Sequence, residues 1–246
     1  MKTFTIGRSG LCAELQNLIG FYYKYIHGTE NKIHVESASP YFRKFCISSL
    51  FQFPNNFTFG RRDLVKHKRE KLYHKYFPFG FTFDYTENFK SEIDNIINEL
   101  ILPDSYVCAH IRRGDKVGEK ECRQASTTGV IEGKRFESSD YIHYCPTNID
   151  TIFLMTDDYK SIKEAKEFID RQKLSLKVLH LTKESQDGHS EKENNKKIYL
   201  KQELLQFFAE IEIAKKSSTF IGTRSSNVYR YIKKSYKPNC NFVQLD

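Results

Sequence analysis

The sequence predicts an α/β protein with a mostly parallel, doubly wound sheet, and three observations carry that expectation. Short apolar runs alternate with amphipathic helical patterns, most clearly in the second half of the chain. Charged or glycine-containing clusters follow several of these runs, as expected at the strand ends where open α/β sheets bind ligands. The length of 246 residues accommodates one large domain or two small ones with a sizeable core.

Phe4-Thr5-Ile6 reads as the first strand, followed by the turn Gly7-Arg8-Ser9-Gly10. Leu11, Leu15, Leu18, Ile19 and Tyr22 recur at three- and four-residue spacing, which predicts a helix over 11–27 that Gly28 ends. Lys32-Ile33-His34-Val35-Glu36 is a second strand, and this opening resembles half of a nucleotide-binding sheet. Residues 40–85 are rich in Phe, Tyr and basic side chains and give no clear period. Phe89, Ile93, Ile96, Ile97 and Leu100 mark a helix stopped by Pro103. Further strands are expected near 106–111, 151–156, 176–181, 218–222 and 241–245. Between them, Ser161 with Glu164 gives a capping-box pattern ahead of Ile162, Ala165, Phe168 and Ile169. Leu204, Phe207, Phe208 and Ile211 form one face of a long helix, and Asn227 to Lys234 a short last one. The polar stretch 184–197 reads as a mobile loop. The two halves meet near Pro103, giving domains 1–103 and 104–246.

Lysine and arginine (39) outnumber aspartate and glutamate (31), for a net charge of +8. That balance favours anionic partners such as nucleotides, nucleic acid or acidic glycans without choosing among them, and a lysine-rich proteome gives the same bias. No RRM, helix-turn-helix or zinc-finger pattern occurs, so no specific nucleic-acid partner is expected. The six cysteines, Cys12, Cys46, Cys108, Cys122, Cys145 and Cys240, form no CxxC pair and no zinc-like spacing; reduced thiols are expected. No window approaches the roughly 18 to 20 apolar residues of a membrane span. Without a visible leader, the expectation is a soluble, cytoplasmic protein.

Four clusters stand where chemistry is expected. Gly7-Arg8-Ser9-Gly10 lets a backbone approach a phosphate, but it also makes an ordinary tight turn. His110-Ile111-Arg112-Arg113-Gly114-Asp115-Lys116 follows the apolar run Tyr106-Val107-Cys108-Ala109. Two guanidinium forks and a lysine suit a phosphate-bearing ligand, and the carboxylate can orient a fork or meet a sugar hydroxyl; a basic surface turn is the plainer alternative. The tripeptide Arg113-Gly114-Asp115 also spells a cell-adhesion motif, which recurs by accident in many chains. Thr156-Asp157-Asp158 either binds a ligand or caps the next helix. Thr223-Arg224-Ser225-Ser226-Asn227 offers hydroxyls and amides to an anion at a helix start, although a cap needs only one of them. Their shared place at one sheet edge is the argument for a nucleotide there. No His/Cys group has ligand spacing and no spaced DxD is apparent, so no metal cofactor is expected.

These residues resemble the α1,6-fucosyltransferases and their relatives among rhizobial and protein O-fucosyltransferases. His110-Ile-Arg112-Arg113-Gly-Asp115-Lys116-Val-Gly118 is similar to the family pattern HxRRxDKxG. Ile152 to Asp158, with Glu164-Ala165-Lys166, resembles xYLATDD…KEAK, and Thr223 to Arg230 resembles TFSSQVxR. A looser match covers Gly10 to Leu15, His27 to Thr29 and Ile33 to Ser37. The resemblance implies a GT-B-type fold of two Rossmann-like halves, with the nucleotide-sugar site in the C-terminal half.

It further implies inverting transfer of fucose from GDP-fucose to a glycan hydroxyl, without a metal. Arg112 would bind the β-phosphate with Ser226 nearby, alongside Ser225, Asn227 and the first loop's Gly10. Arg113 and Lys116 would add positive charge at the departing diphosphate. His110 and Glu210 would hold the guanine or ribose, although alone Glu210 reads as a solvated helix carboxylate. Asp157 and Asp158 would support the basic cluster or the nucleotide, and Asp115 would orient an arginine or contact the sugar. The chain departs from the family at the base: the family's carboxylate position is Lys120, flanked by Glu119 and Glu121. Glu121 is the first candidate, then Glu119, then Asp140 beside Tyr141 in a stretch resembling the family's EEYM, where Tyr141 is a further substrate contact. The alternatives are a transferase using another nucleotide sugar and a catalytically inactive nucleotide- or glycan-binding relative.

Overall fold

The structure is a computed structural model and describes residues 1–6, 11–37, 47–61, 76–113, 136–188, 201–235 and 240–245. Among the described residues the strands form two sheets, and every pairing within them is parallel. The first sheet has the order β1-β2-β3, with β1 at Lys2–Ile6, β2 at Ile33–Ser37 and β3 at Phe57–Arg61. Helix α1, Leu11–Tyr25, connects β1 to β2, and Gly28 turns the chain behind it at a φ of 72° that suits glycine. A 3₁₀ turn, Ile47–Ser49, precedes β3.

The second sheet is built from β4 (Val107–Ile111), β5 (Thr151–Thr156), β6 (Lys177–Leu179), β7 (Thr219–Thr223) and β8 (Asn241–Leu245). Its order is β6-β5-β4-β7-β8. The chain thus winds outward from β4 through β5 to β6, then returns to β4's other side with β7 and β8. The reversal between β4 and β7 is the switch point at which such sheets open a ligand crevice. The helices are α2 (Glu87–Asn98), α3 (Ser138–Ile142), α4 (Tyr159–Gln172), α5 (Lys201–Lys216) and α6 (Asn227–Ser235). This is the α/β, GT-B-type arrangement that the sequence predicts.

Strands β4, β5 and β7 are buried along their whole length, so their sequences read as continuous apolar runs rather than alternating ones. Their side chains still alternate between faces. Val107, Ala109 and Ile111 pack with Tyr141 and Ile142 of α3 and with Ile162 and Ala165 of α4. Cys108 joins Phe153, Met155, Phe208 and Phe220 on the other side, in a core that continues through Phe89 and Ile93 to Leu15 and Ile19. Phe208 is a hub there, with ring contacts to Phe51, Tyr85 and Phe89 at 5.4 to 5.7 Å.

Three expectations change. Strand β3 and the 3₁₀ turn lie in the stretch 40–85 that shows no clear period. Its aromatic residues pack ring on ring, Phe53 against Phe57, Phe59 and Phe83, so Phe residues outside the strand obscure the Phe57-Thr58-Phe59 alternation. Helix α3 has no counterpart in the sequence reading. The capping box at Ser161 and Glu164 is replaced: α4 starts earlier, with Asp158 as its N-cap accepting from Lys160 N at 3.0 Å. Asp158 takes the cap because β5 ends at Thr156 and the chain turns over the next two residues, leaving Ser161 inside the first turn. No helix among the described residues is long and apolar enough to cross a membrane.

Candidate functional site

The parallel register brings the ends of β4 and β5 level, since Ile111 pairs with Thr156. The next residues, Arg112 and Asp157, therefore meet: Arg112 Nη1 donates to Asp157 Oδ2 at 2.8 Å. The other carboxylate oxygen accepts from the backbone N–H of Arg113 at 3.0 Å. Asp157 thus fixes both the side chain of one arginine and the backbone of the next. Both partners of the ion pair are partly exposed, with side-chain exposures of 27% for Arg112 and 21% for Asp157. A partly exposed guanidinium held by a carboxylate is a fixed cation of the kind that suits an anionic ligand.

Arg113 does not join it. Its side chain is 4% exposed and runs into the layer of α3 and α4. Nη1 donates to Phe136 O and Nη2 to Glu164 Oε2 at 3.1 Å, an oxygen that also accepts from Ser138 Oγ at 3.0 Å. The expectation that both arginines face a diphosphate is corrected by strand periodicity, since successive residues leave a strand on opposite faces. The twin carboxylates divide in the same way. Asp157 orients Arg112, whereas Asp158 is spent on the α4 cap, with Thr156 Oγ1 accepting from its backbone N–H at 3.2 Å.

Across the switch point, β7 ends at Thr223 and α6 begins at Asn227. Ser226 Oγ accepts from Val228 N at 3.2 Å and Tyr229 N at 3.4 Å, the geometry of an N-cap. Asn227 Oδ1 accepts from Arg230 Nη2 at 2.7 Å, and the same nitrogen reaches Ser225 O at 3.4 Å. Gln16 of α1, itself buried, donates through Nε2 to Asn227 O at 3.1 Å and so ties the first half of the chain to this turn. The positive end of α6 therefore stands beside the arginine edge, on the β7 side of the switch point.

His110 and Glu210 supply the buried polar groups behind this edge. His110 lies on the β4 face opposite Ile111; it is buried, and its Nδ1 has no hydrogen-bond partner among the described residues. Burial, reinforced by Arg112 and opposed by Asp157, lowers its pKa to about 4, so the ring is neutral at neutral pH. Glu210 projects from α5 into the same interior, which overturns the reading of a solvated carboxylate. Burial is the main cause raising its pKa to about 8; Gln206 lowers it and Asp157 raises it further. The edge thus presents a fixed cation, a helix N-terminus, a neutral imidazole and a carboxyl group protonated near neutrality.

Tyr141, on α3, is fully buried in the core that α3 shares with α4 and the sheet, and burial pushes its phenol above the usual range. Its side chain serves packing rather than a ligand, which corrects its place among the substrate contacts. Asp140 accepts from Glu137 N at 2.8 Å at the start of α3. Gly10, Asp115, Lys116, Glu119 and Glu121 lie outside the described residues. Among the described residues, no group of three or more His, Cys, Asp or Glu side chains gathers as a metal centre would. Sequence reasoning missed Ser138 and Gln16, polar residues whose burial has no periodic signature. Glu164 carried a motif signal but was assigned to a cap.

No protein-family model matches the chain, and no curated protein is similar to it in sequence. Solved structures do match. The NodZ α-1,6-fucosyltransferase soaked with GDP-fucose is similar at a TM-score of 0.53 and 11% identity, over 96% of this chain and 92% of that one. The fucosyltransferase NodZ from Bradyrhizobium gives 0.51 and 10%, over 94% and 92%. POFUT1 in complex with GDP-fucose gives 0.42 and 12%, over 66% of this chain and 47% of that one, so the chain spans about half of it. At these identities the likeness establishes the fold: the chain has the two-sheet α/β fold of the NodZ α-1,6-fucosyltransferase structures.

Proposed function

We propose that the protein is a glycosyltransferase that moves fucose from GDP-fucose to a glycan hydroxyl, with inversion and without a metal. The observation that carries the reading is Arg112, held by Asp157 at the β4–β5 edge beside the positive end of α6. The fold likeness to NodZ, a structure soaked with GDP-fucose, supports the choice of donor. Arg112 binds the β-phosphate, with Ser226 and the α6 N-terminus next to it. His110 and Glu210 take the nucleoside end from the interior side of the edge.

In the reaction the acceptor oxygen attacks the fucose anomeric carbon from the face opposite GDP. The bond from that carbon to the diphosphate oxygen breaks, and its electron pair leaves on GDP. Negative charge grows on the diphosphate as the sugar gains oxocarbenium character. A guanidinium oriented in advance stabilises that charge without reorganising. A carboxylate takes the acceptor's proton, and Glu121, then Glu119, are its candidates from the sequence.

The test is a transfer assay with GDP-fucose and a panel of glycans in EDTA, following GDP release and fucosylated product. Product formation in EDTA supports the whole reading. Lys120, at the family's base position, favours one second reading: a binding relative that holds GDP but moves no fucose to any acceptor.

A further inference from the structure

We infer that Glu164 is a positioning residue for the arginine edge, acting through Arg113. The inference rests on the donor-site reading above and assigns the second arginine a different role from the first. Arg112 and Arg113 leave β4 on opposite faces. Asp157 binds both, through the Arg112 guanidinium at 2.8 Å and the Arg113 N–H at 3.0 Å. The direction of that N–H depends on where the Arg113 backbone is held. The Arg113 side chain holds it, through Phe136 O on one nitrogen and Glu164 Oε2 on another.

Glu164 is the charged member of this anchor and is fixed in turn. Its Oε2 also accepts from Ser138 Oγ, which lies within reach of Ser161 O at 3.0 Å as well. The chain of contacts runs from α4 through the buried guanidinium to the Arg113 backbone, then through Asp157 to Arg112. Glu164 therefore touches no ligand, yet it sets the orientation of the group that does. Arg113 is almost fully buried, so losing Glu164 leaves a buried cation short of its carboxylate and pulls the Arg113 backbone toward a new compromise. Asp157 then loses one of its two fixed donors, and Arg112 loses its fixed direction.

The experiment compares wild type with Glu164→Ala, Glu164→Gln and Ile169→Ala. Ile169 is a buried core residue of the same helix with no part in the chain of contacts, and it controls for loss of stability alone. GDP affinity is measured by calorimetry well below each protein's own melting temperature, and exchange of the Arg113 amide hydrogen is followed by NMR without ligand. Glu164→Ala is expected to weaken GDP binding at least about tenfold, or about 1.4 kcal/mol. Glu164→Gln, which keeps an acceptor, recovers part of that loss. The Arg113 amide exchanges faster in Glu164→Ala than in wild type, whereas Ile169→Ala changes neither readout.

Unchanged GDP affinity and unchanged Arg113 exchange in Glu164→Ala overturn the inference, as does an equal loss of affinity in Ile169→Ala. Should wild type bind no GDP, the donor-site reading fails. The amide-exchange comparison then still decides whether Glu164 anchors the edge.

Discussion

Glu210→Gln separates the ionisation of one buried side chain from everything else in the molecule. Glu210 is buried, and its pKa is raised to about 8 from the ordinary 4.5. Between those values the folded chain holds a proton that the unfolded chain has released, so stability falls as pH rises through the window. His110 has the opposite slope. With its pKa lowered from 6.5 to about 4, it costs stability as pH falls through that interval. The two slopes oppose each other between pH 4.5 and 6.5, which leaves Glu210 alone above 6.5. From pH 6.5 to 8 its contribution is a loss of about 1.5 kcal/mol, or about 3–6 °C of melting temperature for a chain of this size. Glutamine mimics the protonated acid and does not titrate. Urea unfolding at both pH values should therefore find the variant more stable throughout, with its advantage over wild type larger by about 1.5 kcal/mol at pH 8 than at pH 6.5. A difference between the two proteins that is the same at both pH values would refute the reasoning.

Arg112→Ala should weaken GDP binding at least about a hundredfold in calorimetry, since it removes a charge-assisted, oriented donor; unchanged affinity would exclude its assigned role. Ser226→Ala should cost about 1 kcal/mol in urea unfolding by removing the α6 cap, and it should weaken GDP as well. Gly222→Ala is expected to destabilise by about 1–3 kcal/mol, because an added Cβ would stand 2.6 Å from the buried ring of Tyr229; a urea midpoint equal to that of wild type would mean the ring shifts freely. Glu121→Gln should leave GDP binding intact and abolish transfer, and full activity in that variant would move the base to Glu119 or Asp140.

The second sheet was legible because its central strands are buried on both faces and stand between helices of plain period, so apolar runs at 107–111, 151–156 and 219–223 had no competing reading. The first half was harder. Phe53, Phe57, Phe59, Phe81 and Phe83 make an aromatic cluster drawn from a strand and the segments around it, and ring-to-ring packing leaves no single period in the sequence. In the candidate site, residue types and strand ends were readable, and side-chain directions were not. Two adjacent arginines look alike in a motif, but the pleat sends one to the open edge and the other to Glu164. Two adjacent aspartates look alike as well, until one caps a helix. Glu210 looked solvated because its burial comes from the sheet beneath α5, which local sequence does not record.

The most direct test of the donor-site account is heat stabilisation of the free protein by GDP, GDP-fucose, GDP-mannose, UDP and UDP-sugars in EDTA. The account predicts that the guanine nucleotides raise the melting temperature, that the uridine nucleotides do not, and that Arg112→Ala abolishes the effect. No shift with any nucleotide, or an equal shift with UDP, would contradict it.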